Sequence, residues 1–182
     1  MKAVLISIRP KWVEKIVRGE KTLEVRKTRP KLETPFKCYI YRTKGTVPHI
    51  INGGWVQMEV GGTVIGEFTC DCIDQVLWDG EYGTSYDCSD DDVAAACLTR
   101  DELDAYGKHR PLYMWHISGL KLYGELKELS EFCFPPELYC EKGLCGRCPY
   151  DQSPNEYGEY SFDCEWKKPV TCPPQSWCYV EG

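Results

Sequence analysis

The first 26 residues carry the pattern that most restricts what this chain can fold into. Residues 3–8 alternate with period two and are apolar on both faces, which predicts a central strand. Pro10 suits the first turn of a helix, and Gly19 is placed to end it after one apolar stripe at helical spacing. Renewed alternation over residues 21–26 predicts a second strand with one apolar face. The chain is therefore expected to open as strand, short helix and strand.

Later segments continue this mixed pattern. Ser89 can cap one short helix, and Thr99 with Glu102 has the spacing of a capping box at the next. This order favours a small mixed α+β barrel over a doubly wound parallel sheet. No glycine-rich loop follows the first strand, so a nucleotide cofactor is not expected. The further predicted segments are strands at 38–41, 64–70, 112–117 and 176–180, helices near 90–97 and 99–107, and turns through 43–63.

Charge is divided unevenly along the 182 residues. Residues 1–45 carry 13 Lys and Arg against 4 Asp and Glu, whereas residues 46–182 carry 9 against 24. A locally basic face is compatible with a nucleic-acid partner despite the net charge of −6, because screening makes near charges matter most. The same residues also fit an ordinary solvated surface.

Composition excludes several classes of protein. Hydrophobic residues make up 42% of the chain, as in ordinary globular domains. No stretch approaches the roughly 18 apolar residues of a membrane span. The apolar start at residues 1–8 is too short for a signal peptide. Collagen-like, membrane-spanning and largely disordered classes are excluded, and a cytoplasmic location is expected.

Cysteines are concentrated near the end of the chain, where the last 50 residues hold seven of the 12. In a reducing compartment such clustering favours a metal site over disulfides or free thiols. Cys145 and Cys148 have the spacing of a zinc knuckle. With Cys140 and Cys164 they predict a four-thiolate structural zinc site, and Cys172 is the main substitute. Few apolar side chains accompany them, so zinc would supply the folding free energy.

Five blocks in a fixed order carry a family signature: Ile6-Ser7-Ile8-Arg9-Pro10, Gly19-Glu20-Lys21-Thr22-Leu23-Glu24-Val25-Arg26, Leu112-Tyr113-Met114-Trp115-His116-Ile117, Leu129-Ser130-Glu131-Phe132 and Pro173-Pro174-Gln175-Ser176-Trp177-Cys178-Tyr179-Val180-Glu181. In this order they resemble the ASCH domain family of the PUA-like superfamily, in the variant common in bacterial prophages. The resemblance covers residues 1–133 and 173–182 as one domain. Residues 134–172 look like a cysteine-rich, zinc-ribbon-like insertion before the last strand.

This resemblance implies an α+β fold, a PUA-like mixed β-barrel flanked by short helices. It also implies RNA binding at a cleft where the first helix turns into the second strand. One branch of the family hydrolyses N4-acylated cytidine with a lysine, a hydroxyl nucleophile and a carboxylate, and another is linked to ribonuclease activity. Lys21 falls on the lysine of that motif, whereas Glu24 stands where the hydroxyl is expected. These two residues are the candidate catalytic pair if the protein is an enzyme.

A basic strip beside this cleft is the expected nucleic-acid-binding surface. Flexible RNA or another single strand is favoured over duplex DNA, because no helix is suited to a major groove. A third hypothesis is a ligand-binding or protein-binding accessory protein that uses the acidic loop at residues 79–92. The strip comprises Arg9, Lys11, Lys15, Arg18, Lys21, Arg26, Lys27 and Arg29, with Trp115 as a face on which a base stacks.

Several of these residues also have ordinary structural interpretations. Trp115 and Trp177 lie in apolar segments and fit the core. Glu24 and Arg26 fit a simple ion pair on one strand face. His116 has no partner evident from the sequence, so a structural role competes with catalysis.

Overall fold

The computed structural model describes residues 2–51, 54–79, 86–135 and 167–182. Within these ranges strands alternate with short helices, which confirms the mixed α+β class. In chain order the elements are β1 (Lys2–Ile8), α1 (Pro10–Val17), β2 (Leu23–Arg26), β3 (Phe36–Arg42), β4 (Gly45–Ile51), β5 (Gly54–Val60), β6 (Thr63–Val76), α2 (Asp90–Ala95), α3 (Arg100–Gly107), β7 (Leu112–Lys127) and β8 (Trp177–Glu181).

Six of these strands form one sheet in the order β2-β7-β6-β3-β1-β8. β1 and β3 run parallel, and the other neighbouring pairs are antiparallel. The sheet curls until its two edges approach: Arg26 Nη1 lies 3.3 Å from Ser176 Oγ, and Trp177 Nε1 donates to Thr28 Oγ1 at 3.0 Å. The described strands therefore do not close into the expected barrel, because side chains rather than a backbone ladder join β2 to β8.

Both faces of β1 are buried, as its two-sided apolar pattern predicts. Ile6 and Ile8 belong to one core cluster with Val13 of α1. Leu5, on the opposite face, belongs to another cluster with Val180 of β8. Each such side chain contributes about 1.5–3 kcal/mol on burial. This packing holds the eight-residue α1, which is too short to be stable alone.

A third cluster lies beneath α2 and α3. The two apolar residues of β2, Leu23 and Val25, share it with Val93 and Leu103 of the helices. The opposite face of β2 is thereby presented to the space beside α3 and α1. None of the helices in the described ranges has the length and apolarity needed to cross a membrane.

The turn-rich interpretation of residues 43–63 is wrong, because β4 and β5 pair there as a separate two-stranded sheet. Their large side chains do not alternate between core and solvent. Trp55 is 73% exposed, and Ile50, Val56 and Met58 are exposed as well. No described side chain of this hairpin is buried, so the hairpin lacks the period-two burial from which strands are recognised.

Capping boxes begin both later helices, as their spacing predicts. Ser89 Oγ accepts from Asp92 N at 3.0 Å while the Asp92 carboxylate accepts from Ser89 N at 2.9 Å. Thr99 and Glu102 exchange the equivalent bonds at α3. Each box satisfies donors that the first helical turn leaves unpaired.

Asp92→Ala is expected to lower the free energy of unfolding by about 1 kcal/mol at neutral pH. Hydrogen bonds from the Ser89 hydroxyl and backbone N–H hold the pKa of Asp92 below its usual range. A carboxylate with a depressed folded-state pKa stabilises the fold above its unfolded pKa of about 3.9, and this contribution is lost as the pH falls through the folded value. Urea unfolding of both proteins at pH 7 and near pH 3 measures the difference. Asp91→Ala, in the same turn, is the control, and an Asp92 effect of the same size at both pH values would contradict the assignment.

Candidate functional site

A cavity of about 710 Å³ opens where β1, α1, β2, α3 and the segment before β8 meet. The volume is within the range of small-ligand sites. Trp12 and Tyr106 provide aromatic surface in its wall. Four cationic side chains outnumber two carboxylates in the lining, so the cavity has an excess of positive charge: Arg9, Lys11, Lys21 and Arg26 against Glu24 and Glu102.

A buried ionic network forms one wall of the cavity. Glu24 Oε2 lies 3.4 Å from Lys21 Nζ, and Glu24 Oε1 lies 2.9 Å from Arg26 Nη2. The three side chains are only 3%, 7% and 11% exposed for Lys21, Glu24 and Arg26 respectively. One carboxylate thus lies between two cations, which confirms the ion pair but leaves one positive charge in excess.

The turn after α1 places Lys21 in this wall. Gly19 adopts a φ of +72°, a conformation that glycine takes without strain, and Lys15 O accepts from both Glu20 N and Lys21 N. The Lys21 ammonium then donates to Ala96 O, just after α2, at 2.7 Å. It also lies 5.2 Å from the centre of the Trp12 ring. The position of the Lys21 amine is therefore set jointly by the turn, by α1 and by the end of α2.

Arg26 connects the network to the opposite edge of the sheet. Its Nη2 donates to Ser7 O at 2.7 Å, in addition to contacting Glu24. Ser7 Oγ in turn donates to Pro174 O at 2.7 Å, and Ser7 N donates to Ser176 O at 2.9 Å. The wall of the cavity and the closure between the sheet edges are thus one continuous set of hydrogen bonds.

The mouth of the cavity holds the groups that a ligand would meet first. Arg9 and Lys11 are exposed, and Tyr106 is 38% exposed. Lys27 Nζ lies 4.8 Å from the centre of the Tyr106 ring. Burial raises the pKa of the Tyr106 hydroxyl, so it remains a protonated donor at neutral pH. Cationic groups and one aromatic face therefore surround the opening.

The predicted basic strip divides between two parts of the surface. Arg9, Lys11, Lys21 and Arg26 line the cavity, and Lys27 lies beside it against Tyr106. The other three are outside: Lys15 and Arg18 form ion pairs with Glu20 at 3.3 and 3.9 Å, and Arg29 is exposed in the loop after β2.

Trp115 does not offer a stacking face. It is 0% exposed, packs edge-to-face against Phe36 with ring centres 5.9 Å apart, and does not line the cavity. Its alternative interpretation as a core residue agrees with the structure, because β7 lies between β2 and β6 at this point. Trp177 is half-buried and donates to Thr28, which ties it to the closure of the sheet edges.

Sequence reasoning missed the contribution of α3 to the cavity. Glu102, Ala105 and Tyr106 line it from one side of that helix. The available signal was a tyrosine on this helix four residues after a glutamate. Nothing in the sequence indicated that this helix lies opposite β2.

The predicted zinc ligands Cys140, Cys145, Cys148 and Cys164 fall outside the described residues. Their substitute, Cys172, is described and exposed. The eight cysteines in the described ranges are free thiols. Burial and the neighbouring Cys172 raise the pKa of Cys178 to about 11.

The fold and cavity together define a class: an α+β domain with a curled six-stranded sheet and a basic cavity at the first helix-to-strand turn. The crystal structure of ASCH from Zymomonas mobilis is similar, with a TM-score of 0.54, 16% identity, and coverage of 98% of this chain and 87% of that one. Two single-substitution variants of that protein also match, each with a TM-score of 0.53. One variant is 17% identical and the match covers 100% of this chain and 91% of that one. The other variant is 16% identical and the match covers 98% of this chain and 88% of that one. The chain therefore has the ASCH fold. No family model and no curated protein matches it.

Proposed function

We propose that this protein binds single-stranded RNA through the cavity beside Lys21. The observation that carries the proposal is the excess of cationic side chains in the lining, together with an exposed aromatic ring at its mouth. The ASCH fold supports it, because ASCH domains commonly bind RNA. RNA-binding sites of this kind hold an unpaired base by stacking and the backbone by charge.

The accessible groups have separate roles in this proposal. Arg9 and Lys11 contact phosphates at the mouth, and Lys27 contacts a third beside Tyr106. The Tyr106 ring stacks on an unpaired base. Lys21, Glu24 and Arg26 are nearly enclosed, so they shape the wall and set its charge rather than make the first contact with the strand.

Binding is measured by fluorescence anisotropy with a labelled mixed-sequence single-stranded RNA at several salt concentrations. Three phosphate contacts on a single strand give a slope of about −2 for log K against log salt. We expect the double variant Arg9→Ala and Lys11→Ala to reduce the magnitude of that slope by about 1.4. Tyr106→Ala is expected to weaken binding about 5- to 150-fold, the effect of losing a stacked base.

Arg18→Ala is the matched control, since Arg18 is a cationic residue next to α1 that does not line this cavity. Its affinity and salt slope should stay within about twofold of the parent protein. Two results would overturn the proposal: no binding at low salt, or an equal loss of affinity in Arg18→Ala and the double variant.

The second candidate is a hydrolase or ribonuclease that uses the same cavity, favoured by the 3.4 Å approach of Lys21 and Glu24. Among the described residues that line the cavity, no hydroxyl is hydrogen-bonded to a lysine or histidine that would activate it. Cleavage of the RNA during the titration, abolished by Lys21→Ala, would favour this candidate over binding alone. An N4-acylated cytidine is the nucleoside substrate to test beside it.

We also propose a prophage-type ASCH domain formed by residues 1–133 and 173–182. A zinc-ribbon-like insertion interrupts it. The knuckle spacing of Cys145 and Cys148 supports the structural zinc site. A cytoplasmic location remains the expectation.

A further inference from the structure

Three metal-ligating side chains converge on the surface of the sheet outside the cavity. Asp74 Oδ2 lies 2.6 Å from His116 Nε2, and Asp74 Oδ1 lies 3.6 Å from Cys72 Sγ. The ligand atoms of all three residues lie within 4.8 Å of one another. Cys72 and Asp74 are exposed, and the His116 side chain is 38% exposed. None of the three lines the cavity, so this group is separate from the site described above.

An irregularity in the pairing of β6 with β7 brings the three together. Cys70 pairs with Ile117 and Ile73 pairs with Trp115, so two residues of β6 lie opposite the single residue His116. Such a bulge redirects side chains and is common beside functional sites. Cys72 and Asp74, two positions apart, lie on the same face of β6. Cys70 Sγ donates to Cys72 O at 3.3 Å and supports the bulge from the buried side.

The contacts differ from those of a catalytic relay. In a relay the nucleophile and the carboxylate bond opposite nitrogens of the imidazole ring. Here the Cys72 thiol contacts the carboxylate itself. A solvated ion pair between Asp74 and His116 also does not explain why a thiol lies beside them. Such exposed pairs contribute only about 0–1 kcal/mol to the free energy of unfolding. Convergence of sulfur, oxygen and nitrogen on one point suits a bound cation.

The spacing is close to that of a tetrahedral metal site. Zinc bonds of about 2.3 Å to sulfur and about 2.1 Å to oxygen or nitrogen separate sulfur from oxygen by about 3.6 Å, and oxygen from nitrogen by about 3.4 Å. The distance from Cys72 Sγ to Asp74 Oδ1 already has the first value, 3.6 Å. His116 Nε2 instead contacts the other carboxylate oxygen, Oδ2, at 2.6 Å, so the carboxylate must rotate until one oxygen faces both partners, which these solvent-accessible side chains allow. A thiolate, a carboxylate and a neutral imidazole also balance the charge of a divalent ion.

We propose that Cys72, Asp74 and His116 form a zinc-type metal site with three protein ligands. Sulfur, nitrogen and oxygen donors together favour zinc over magnesium or calcium, which prefer oxygen alone. The fourth coordination position faces solvent and takes water. Binding releases the Cys72 thiol proton, so the affinity rises with pH. The site does not depend on nucleic-acid binding.

The test uses the full chain, reduced, stripped of metal and then dialysed against Zn²⁺. Metal bound per chain is measured by elemental analysis for the parent protein and for Cys72→Ser, Asp74→Asn and His116→Gln. Cys97→Ser, at a cysteine outside the group, is the matched control. Differences between proteins isolate this site from any metal held by other cysteines. Circular dichroism confirms that each surface variant remains folded.

We expect each of the three variants to bind one zinc ion fewer than the parent, with affinity at this site reduced at least about 100-fold, more than the 10- to 100-fold loss typical of an outer-shell change. Cys97→Ser should bind as much as the parent. With Co²⁺ in place of Zn²⁺, the absorption spectrum of the parent minus that of His116→Gln should show a thiolate charge-transfer band. The same subtraction should show this band for Cys97→Ser and no such band for Cys72→Ser. Equal zinc content in the parent and all three variants, or a difference spectrum without the thiolate band, would overturn the proposal.

Discussion

Glu24→Ala is expected to destabilise the fold by about 3 kcal/mol, because it leaves the buried cations Lys21 and Arg26 without their shared counter-ion. The carboxylate holds them at 3.4 and 2.9 Å in a wall that little solvent reaches. Removing one partner of a buried ionic group costs far more than removing an exposed pair. Urea unfolding at neutral pH, followed by circular dichroism, measures the loss.

Lys21→Met provides the sharper comparison. It removes one of two cations and leaves Glu24 paired with Arg26, so the remaining network is balanced. The variant loses the hydrogen bond to Ala96 O, which costs about 1 kcal/mol, together with the contacts to Glu24 at 3.4 Å and to the Trp12 ring. Glu24→Ala should therefore cost more than Lys21→Met. The opposite order would mean that the network is not governed by its charge balance.

Trp115→Ala is expected to have the largest effect on stability, about 3–5 kcal/mol. The side chain is wholly buried and packs against Phe36 and Trp177, with ring centres 5.9 and 6.0 Å away. Because a domain of this size has a stability of about 5–15 kcal/mol, the variant should lose on the order of 10 °C in Tm. Thermal unfolding followed by circular dichroism is the measurement.

Trp115→Phe separates the core role from base stacking. It keeps most of the buried surface and removes an indole N–H that has no hydrogen-bond partner among the described residues. Its RNA affinity should stay within about twofold of the parent, whereas Tyr106→Ala loses affinity. If folded Trp115→Phe lost as much RNA affinity as Tyr106→Ala, Trp115 would have to be part of the RNA-binding surface.

Local patterns predicted much of the fold. The alternation in residues 3–8, the proline and glycine that bound α1, and the capping boxes at Ser89 and Thr99 all match the observed elements. Each signal lies within a few residues of the structure it specifies, so it can be recognised from one sequence. The hairpin of β4 and β5 was missed because none of its described side chains is buried, so no alternation between core and solvent marks its strands.

The candidate site was only partly predictable. Lys21 was identified from its motif, and Glu24 and Arg26 from their common strand face. Tyr106 was missed, and Trp115 was placed at a surface it does not reach. The residues of β2 were predicted and Tyr106 was not, because strand alternation indicates which side of β2 a residue faces but not which helix lies opposite that side.

The sequence by itself determined the α+β class, the two-sided burial of β1 and the basic character of the helix-to-strand turn, since period, caps and charge are local properties. Tertiary structure alone decided the rest. It curled the sheet until Arg26 reached Ser7 and Ser176, placed α3 across the cavity, and brought Cys72 and Asp74 to His116 across a bulge. These contacts join residues 19 to 150 positions apart, and such pairings depend on the global packing of strands and helices rather than on any local preference.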